Sequence, residues 1–289
     1  MTDPGSKPKV TVILPAYNED QVVGETVKAI KKLHPDFEVL VVDDGSTDNT
    51  MQVAMDAGAN VWPHPYNMGN GAAVKSGLRA ASGDYVILMD ADGQHQPEDI
   101  ARLLEFADSY DMVVGARSSN SQASLQRKIA NYIYNIFASY ITKHKISDCT
   151  SGFRLMKKET VEQFLYLLPN TFSYPTTITM AYLRSGRSIK YVPIKALARV
   201  GKSKIKILRD GTRFLLIITK IATLFAPMRI FMPVSLLFFL TGVCYYGFTY
   251  ITQGRFTNMS ALLLNSAVIV FLIGLVSEQV TQLKYDRTK

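Results

Sequence analysis

Val86-Ile-Leu-Met-Asp90-Ala-Asp92-Gly-Gln94-His95-Gln-Pro97 is an apolar run that stops on two carboxylates two residues apart. Tyr85 to Met89 reads as a short buried strand, being apolar, partly β-branched and bounded by Gly83-Asp84 before it and Gly93 after it. Asp90 and Asp92 then stand at the strand's C-terminal end, and in open α/β sheets ligands bind in the crevice outside those ends. Hard divalent cations such as Mg2+ and Mn2+ take oxygen ligands and complete their shells with substrate phosphates and water. An Asp that caps the next helix and a second that makes a turn fit the same residues. On this stretch alone, metal binding and capping both stand.

Around it, strand and helix signals alternate. Strands are predicted over Val10–Leu14, Phe37–Val42, Asn60–Trp62, Tyr85–Met89 and Asp111–Val114, and helices over Gln21–Leu33, Asp48–Ala57, Gly71–Ala81 and Pro97–Ala107. Such alternation argues for a mostly parallel sheet with helices on both faces. Right-handed crossovers place the loops that follow the strands on one rim. That rim gathers Pro15-Ala-Tyr17-Asn18-Glu19, Asp43-Asp44-Gly45-Ser46, Asp90-Ala-Asp92 and Gly115-Ala-Arg117. There is no internal repeat or low-complexity segment.

In Asp43-Asp44-Gly45-Ser46-Thr47-Asp48, Thr47 or Asp48 serves as a helix N-cap, which leaves the two leading acids unexplained. Acids at a strand end suit hydrogen bonding to base or ribose groups, and Tyr17 and Glu19 add an aromatic and a further acid to flank a nucleobase. Asn67-Met-Gly69-Asn70-Gly71 resembles a dinucleotide-binding glycine pattern, but Pro63, Pro65 and Asn67 separate it from the nearest strand. It reads instead as a tight turn into a helix. Asp148-Cys-Thr-Ser151-Gly152-Phe153-Arg154 precedes the strand-like Leu155-Met156 and reads as a turn with a surface Arg. Arg117, Arg127, Arg154 and Arg199 together suggest more phosphate than a nucleotide alone requires, because planar guanidinium forks match phosphate oxygens.

The C-terminal part differs in kind. Ile230–Thr252 and Ala261 to about Val280 are almost free of charge and near the roughly 20 residues needed to span a bilayer, so two transmembrane helices are predicted. Pro233, Gly242 and Gly247 are tolerated in such a helix, and Glu278 belongs near an interface. The chain carries a net charge of +8. Much of the excess is local: Arg184, Arg187, Lys190, Lys195, Arg199, Lys202, Lys204, Lys206, Arg209, Arg213, Lys220 and Arg229 are opposed by Asp210 alone. Beside two spans, this cluster points to anionic lipid and not to nucleic acid. Ile207–Phe225 repeats apolar residues at helical spacing, as an amphipathic helix in the membrane plane does. Met1–Lys9 is polar and lacks a signal-peptide core, and Lys and Arg flank the spans while the loop between them holds Arg255 alone. The expected protein is integral to the inner or plasma membrane, with both termini and the N-terminal domain cytoplasmic. Cys149 and Cys244 make no disulfide framework, which suits a reducing compartment.

Taken in order, Leu14-Pro-Ala-Tyr-Asn-Glu19, Val42-Asp-Asp-Gly-Ser-Thr-Asp48, Gly69-Asn-Gly71, Gly83-Asp-Tyr, Met89-Asp-Ala-Asp-Gly-Gln-His95, Gly115-Ala-Arg117 and Ser151-Gly-Phe-Arg154 resemble a family 2 glycosyltransferase. Within that family the chain is similar to the polyprenyl-phosphate sugar synthases, from about Val10 to Lys204, and the paired spans match bacterial members. The resemblance implies a GT-A, Rossmann-like domain over 1–203, amphipathic juxtamembrane helices over 204–229 and two transmembrane helices over 230–289. It implies that Pro15, Tyr17, Glu19 and Asp44, with Asp90, hold the nucleoside part of a nucleotide sugar. Asp92 and Gln94, with Asp90, would serve Mg2+ or Mn2+ and the diphosphate, and Asp90, Asp92 and Arg117 would be the catalytic set. Arg117, Arg127 and Asn131 would receive the lipid phosphate, and Arg199, Ser203 and Lys204 would belong to a loop that closes over donor and acceptor. A homo-oligomer, a tetramer, is also implied. One departure is that Ser173-Tyr-Pro-Thr-Thr-Ile-Thr179-Met carries no carboxylate where relatives commonly place an acid.

The chemistry agrees. A divalent cation stabilises the charge that grows on a leaving diphosphate. A phosphomonoester acceptor has a second pKa of about 6 and is its own nucleophile, so no catalytic His is required and His95 caps or packs. Attack opposite the leaving group inverts the anomeric centre. The expected activity is transfer of one sugar from a UDP- or GDP-sugar to a polyprenyl phosphate. A processive polysaccharide synthase would need a Gln-x-x-Arg-Trp motif, and the chain's single Trp is Trp62. A silent nucleotide-sugar-binding scaffold would not need Asp90, Asp92 and Gln94 intact.

Overall fold

The computed structural model describes residues 8–117, 125–171, 173–197 and 223–286. The chain divides into two compact units, Met1–Ile205 and Lys206–Lys289. The amphipathic segment predicted over Ile207–Phe225 falls almost wholly outside the described residues, as do Arg199, Ser203 and Lys204.

The first unit holds strands β1 (Val10–Ala16), β2 (Glu38–Asp43), β3 (Asn60–Pro63), β4 (Tyr85–Leu88), β5 (Met112–Arg117), β6 (Arg154–Lys157) and β7 (Ile189–Ile194). Its helices are α1 (Val23–Leu33), α2 (Thr50–Asp56), α3 (Asn70–Ala80), α4 (Asp99–Leu104), α5 (Leu125–Thr142), α6 (Lys158–Glu162) and α7 (Tyr174–Arg184). The strands form one sheet of order β3-β2-β1-β4-β6-β5-β7. It is the mostly parallel sheet the alternation predicts, with β6 antiparallel to both of its neighbours, β4 and β5. Three elements escaped the sequence reading, α5, α6 and β7. β7 contains Pro193, which disqualifies a central strand but is tolerated at the sheet edge, where β7 lies.

Period-2 alternation divides the core. Val10, Val12, Leu14 and Ala16 of β1 join Val39 and Val41 of β2 and Ile87 of β4 in one cluster with Val23, Val27 and Ile30 of α1 and Ile100 and Leu103 of α4. The opposite face receives α3, where Gly77 lies directly against Ile13 and Val42. Because both faces are covered, β4 is buried at every position, as an apolar run without alternation requires.

The second unit contains α8 (Met228–Gln253) and α9 (Asn258–Asp286), both long and apolar enough to cross a membrane. Gly254 closes α8 in the left-handed region (φ 64°), its N–H donating to the Tyr250 carbonyl at 2.9 Å. The helices meet through small and polar groups. Ser235 donates to the Ala267 carbonyl at 2.8 Å, Gly242 lies against Leu263 and Leu264, and Gly274 lies against Phe231 and Met228. The Glu278 carboxylate accepts the Met228 N–H at 3.4 Å, at the start of α8.

Candidate active site

β1 pairs with β2 on one side and with β4 on the other, so the chain reverses its strand order between β1 and β4. A crevice opens at such a switch point, beyond the carboxyl ends of the strands. Here it is bordered by the end of β1 and the Tyr17–Glu19 loop, the end of β2 and the Asp44–Asp48 loop, and Asp90–His95 after β4.

The first two loops are tied to each other. Asn18, held at φ 55°, donates its N–H to Ser46 Oγ at 2.9 Å and accepts the Thr47 N–H at 2.8 Å. The Glu19 N–H reaches Thr50 Oγ1 at 2.9 Å, and Asp48 accepts both the N–H (3.0 Å) and the hydroxyl (2.5 Å) of Thr50. The N-cap of α2 is Asn49 and not Thr47 or Asp48, the two residues expected; Asp48 stands one residue ahead of it and still takes the first N–H of the helix. Burial raises its carboxyl and these hydrogen bonds more than offset that, leaving it below the usual carboxylate range. Tyr17 and Glu19 are half-buried on this edge of the crevice.

Asp43 and Asp44 are both buried, and their partners differ. Asp43 accepts the Ser46 N–H at 3.2 Å. Asp44 accepts the Met68 and Gly69 N–H groups, both at 2.9 Å, and pairs with His64 Nδ1 at 2.7 Å, while His64 Nε2 meets Ser76 Oγ at 2.8 Å. Asp44 therefore holds the turn that leads into α3. The glycines of that turn are also accounted for. Gly69 has φ +101° and lies against the Asn170 carbonyl, and a Cβ on Gly71 would collide with the Pro169 and Thr171 carbonyls. Close backbone approach, and not a phosphate cradle, explains the Gly69-Asn-Gly71 pattern.

Asp92 is buried and its Oδ1 accepts the Gln94 N–H at 3.2 Å, across Gly93 at φ 73°. Asp90 keeps 31% of its side chain exposed toward the crevice. His95 is buried, stacks on Phe153 with centroids 5.2 Å apart, and places Nε2 3.5 Å from Asp90 Oδ2. Its packing is as expected, and its proximity to Asp90 was not foreseen. Two carboxylates and an amide oxygen form a donor set suited to Mg2+ or Mn2+. Among the described residues no group of three or more His, Cys, Asp and Glu could hold a metal ion. The set fits a cation that completes its shell with substrate phosphate and water.

β6 brings a fourth loop to the same rim. Since β6 runs antiparallel, with Leu88 opposite Arg154, the residues that precede it come to lie beside those that follow β4. Gly152 faces Asp90 so closely that a Cβ there would sit 2.6 Å from Asp90 Oδ2. Ser151 Oγ donates to the Gly115 carbonyl at 2.6 Å, joining this loop to β5. Tyr174, buried at the start of α7, has its hydroxyl pushed well above its ordinary range by burial and by the charge of Asp90.

The arginines turn inward. Arg117 makes a fork onto Asp148, Nε to Oδ2 at 2.8 Å and Nη2 to Oδ1 at 3.0 Å, with a further bond to Thr150 Oγ1 at 2.6 Å. Burial opposes both charges, but the pairing prevails: the Asp148 carboxyl is held below its usual range and the Arg117 guanidinium above its own. Asp148 is a site residue that sequence reasoning missed. Arg154 corrects the expectation of a surface arginine. It is fully buried, and donates to the Ser151 carbonyl at 2.7 Å, Thr179 Oγ1 at 2.7 Å and the Cys149 carbonyl at 3.2 Å. Its guanidinium shapes the 149–151 turn and is not presented to a phosphate. Arg127 and Asn131 belong to α5, four residues apart on one helix face. Their side chains lie outside the described residues.

A doubly wound α/β domain with acids gathered at its switch point, followed in the chain by two bilayer-length helices, defines the class. The chain belongs to glycosyl transferase family 2: residues 11–165 match that family's model, and residues 226–283 match the GtrB C-terminal hairpin. It is therefore a glycosyltransferase, as the motif set implied. An uncharacterized protein of Methanocaldococcus jannaschii is 30% identical over 202 residues, covering 66% of this chain and 83% of that one. The undecaprenyl-phosphate 4-deoxy-4-formamido-L-arabinose transferase of Proteus mirabilis is 27% identical over 299 residues, covering 96% of this chain and 90% of the relative. Among solved structures, glucosyl-3-phosphoglycerate synthase from Mycobacterium tuberculosis, in complex with Mn2+ and UDP-glucose, matches with a TM-score of 0.60 at 20% identity, covering 73% of this chain and 77% of that chain. This last likeness is one of fold.

Proposed function

We propose that this protein transfers one sugar from a UDP- or GDP-sugar to a polyprenyl phosphate at the cytoplasmic face of the membrane, with inversion and with Mg2+ or Mn2+ bound. The observation that carries the proposal is the placement of Asp90, Asp92 and Gln94 at the β1/β4 switch point of a chain that continues into two bilayer-length helices. The Proteus mirabilis relative, named for undecaprenyl-phosphate sugar transfer, supports it over nearly the whole chain.

Asp92 and Gln94, with Asp90, would hold the cation. When bound, it supplies Lewis-acid stabilisation to the departing diphosphate. Pro15, Tyr17 and Glu19 flank the nucleoside from the β1 side, and Asp44 acts on that pocket through the 64–69 turn it anchors. Arg117 faces the acceptor phosphate together with Arg127 and Asn131, and Asp148 keeps its guanidinium oriented and ionised. The acceptor's second ionisation, near pH 6, makes it an anion at neutral pH, so no general base is needed. Arg199, Ser203 and Lys204 would close the site during transfer.

Purified full-length protein given undecaprenyl phosphate, Mg2+ or Mn2+, and a panel of labelled UDP- and GDP-sugars should carry label into the organic phase. Absence of transfer with every donor would overturn the proposal. Asp92→Ala should lower transfer by about 10³-fold with an unchanged melting curve, since it removes charge stabilisation made at the transition state. An active Asp92→Ala protein would remove Asp92 from the cation site.

A further inference from the structure

We infer that His95 is a positioning residue that sets the direction of the Asp90 carboxylate, by a donor to the same Oδ2 that Gly152 crowds. The inference rests on the proposed role of the Asp90–Gln94 loop.

Three observations carry it. First, His95 is locked in place: only 3% of its side chain is exposed, and its ring stacks on Phe153 at an interplanar angle of 23°. Second, its Nε2 lies 3.5 Å from Asp90 Oδ2, longer than a good hydrogen bond and within reach of one after a small turn of the carboxylate. Hydrogen bonds of this kind are often long without ligands and tighten when the reacting complex forms. Third, His95 Nδ1 is buried with no hydrogen-bond partner. A neutral imidazole carries its proton on one nitrogen only. Placing it on Nδ1 would bury an unpaired N–H and aim the Nε2 lone pair at a carboxylate, two penalties at once. Placing it on Nε2 leaves one orphaned acceptor and gives Asp90 a donor, so the Nε2–H tautomer is the one the surroundings select. A buried orphan of this kind calls for an explanation, and service to the crevice supplies one.

The steric stop comes from a different motif. Gly152 stands where any side chain would displace Asp90 Oδ2, and its position follows from the antiparallel entry of β6. Asp90 Oδ2 thereby meets both a donor and a steric stop. A ligand-bearing carboxylate needs such outer support, and loss of it typically weakens metal binding by about 10- to 100-fold.

The test separates donor from packing. His95→Phe keeps an aromatic ring against Phe153 and removes the donor; His95→Gln keeps an N–H near the Nε2 position and removes the ring. Full-length proteins are compared by kcat and donor KM in the transfer assay, by Mn2+ EPR titration with UDP and, in a parallel arm, GDP, and by thermal melting. The expected result for His95→Phe is one Mn2+ site per chain with affinity about tenfold weaker, and a kcat reduced at least as much. His95→Gln should stay within about threefold of wild type in both, whatever its melting temperature. The reverse ranking, equal losses that follow a shared drop in melting temperature, or two variants indistinguishable from wild type would each overturn the inference. Asp92→Ala in the same titration keeps the layers apart. If it abolishes Mn2+ binding while His95→Phe does not alter it, only this inference falls; if Asp92→Ala binds Mn2+ and transfers sugar as wild type does, the cation-site reading falls and takes this inference with it.

Discussion

The loop after β4 and the loop before β6 lie side by side, yet they handle charge in opposite ways. Asp90 keeps part of its carboxylate open to the crevice, whereas Arg154 is fully buried and spends its donors on the Ser151 and Cys149 carbonyls and on Thr179. Asp148, in the loop that leads to Arg154 at the start of β6, is likewise committed to Arg117. One loop leaves charge exposed at the crevice; the other uses charge to fix its own backbone and so to place Gly152 against Asp90. A motif residue of either sign can thus serve the site at one remove, and only its partners tell which.

The largest effect that would test this division is on stability. Arg154→Ala removes a buried guanidinium, leaves a cavity and takes the donor from the Ser151 carbonyl, while the Cys149 carbonyl keeps the Thr176 hydroxyl; it should lower the free energy of unfolding by about 4 kcal/mol, read from denaturant titration of the full-length protein. The comparison breaks if Arg154→Ala is as stable as wild type while the KM for the polyprenyl phosphate rises, because Arg154 would then be a ligand residue. Gly152→Ala should do the opposite. The added methyl meets the mobile end of the short Asp90 side chain and not backbone, so the carboxylate swings aside at little structural cost. Transfer should fall by about 100-fold, as for a misplacement near 1 Å, with melting almost unchanged. A destabilised Gly152→Ala protein with normal specific activity would show that the wall is structural only.

Asp148→Asn probes the paired side more finely. Loss of a charged fork should cost about 2 kcal/mol at neutral pH. The pH dependence has a definite sign. Because the folded Asp148 carboxyl lies below its ordinary value, its contribution is complete above the unfolded pKa of about 4 and is lost as pH falls through the lower folded value. Arg117 stays charged throughout that window. Wild type should therefore lose more stability than Asp148→Asn as pH falls below about 4, and the two melting curves should converge in acid. Parallel curves would mean that the pair contributes nothing that depends on its charge.

How much of this was open to a reader of the sequence follows from the same contrast. Alternation of apolar runs and helical stripes gave the sheet and its parallel half, because those strands are buried on both faces and read as continuous hydrophobic segments. α5 was less legible because Ile129, Tyr132, Ile133, Tyr134, Ile136, Phe137 and Tyr140 are strand-type residues set at helical positions. β7 was hidden by Pro193. The acids of the rim were found because strand ends are local features. Asp148, the fate of Arg154 and the wall at Gly152 were not, since each depends on the antiparallel insertion of β6 beside β4, a pairing across more than 60 residues that no local pattern announces. The turn at Gly69 and Gly71 was read correctly as a turn, but its partners at 169–171 lie about 100 residues away.

The hairpin extends the comparison to a region with almost no charge. Between apolar helices in an apolar medium burial supplies no drive to associate, so contact rests on close fit and on the few polar groups present. Ser235 and Ala267 make such a contact at 2.8 Å, but the Ala267 carbonyl also lies within α9, where the helix ladder can satisfy it. Removing the hydroxyl by Ser235→Ala therefore orphans no group, unlike Arg154→Ala in the first unit. The expected loss is about 0.6 kcal/mol, the smallest of the set, measured by unfolding of the full-length protein in mixed micelles. A loss above about 2 kcal/mol would place Ser235 with Arg154 among residues whose partners cannot be satisfied without them. The hairpin would then be held, like the loop before β6, by specific polar closure and not by the fit of Gly242 and Gly274 against their neighbours.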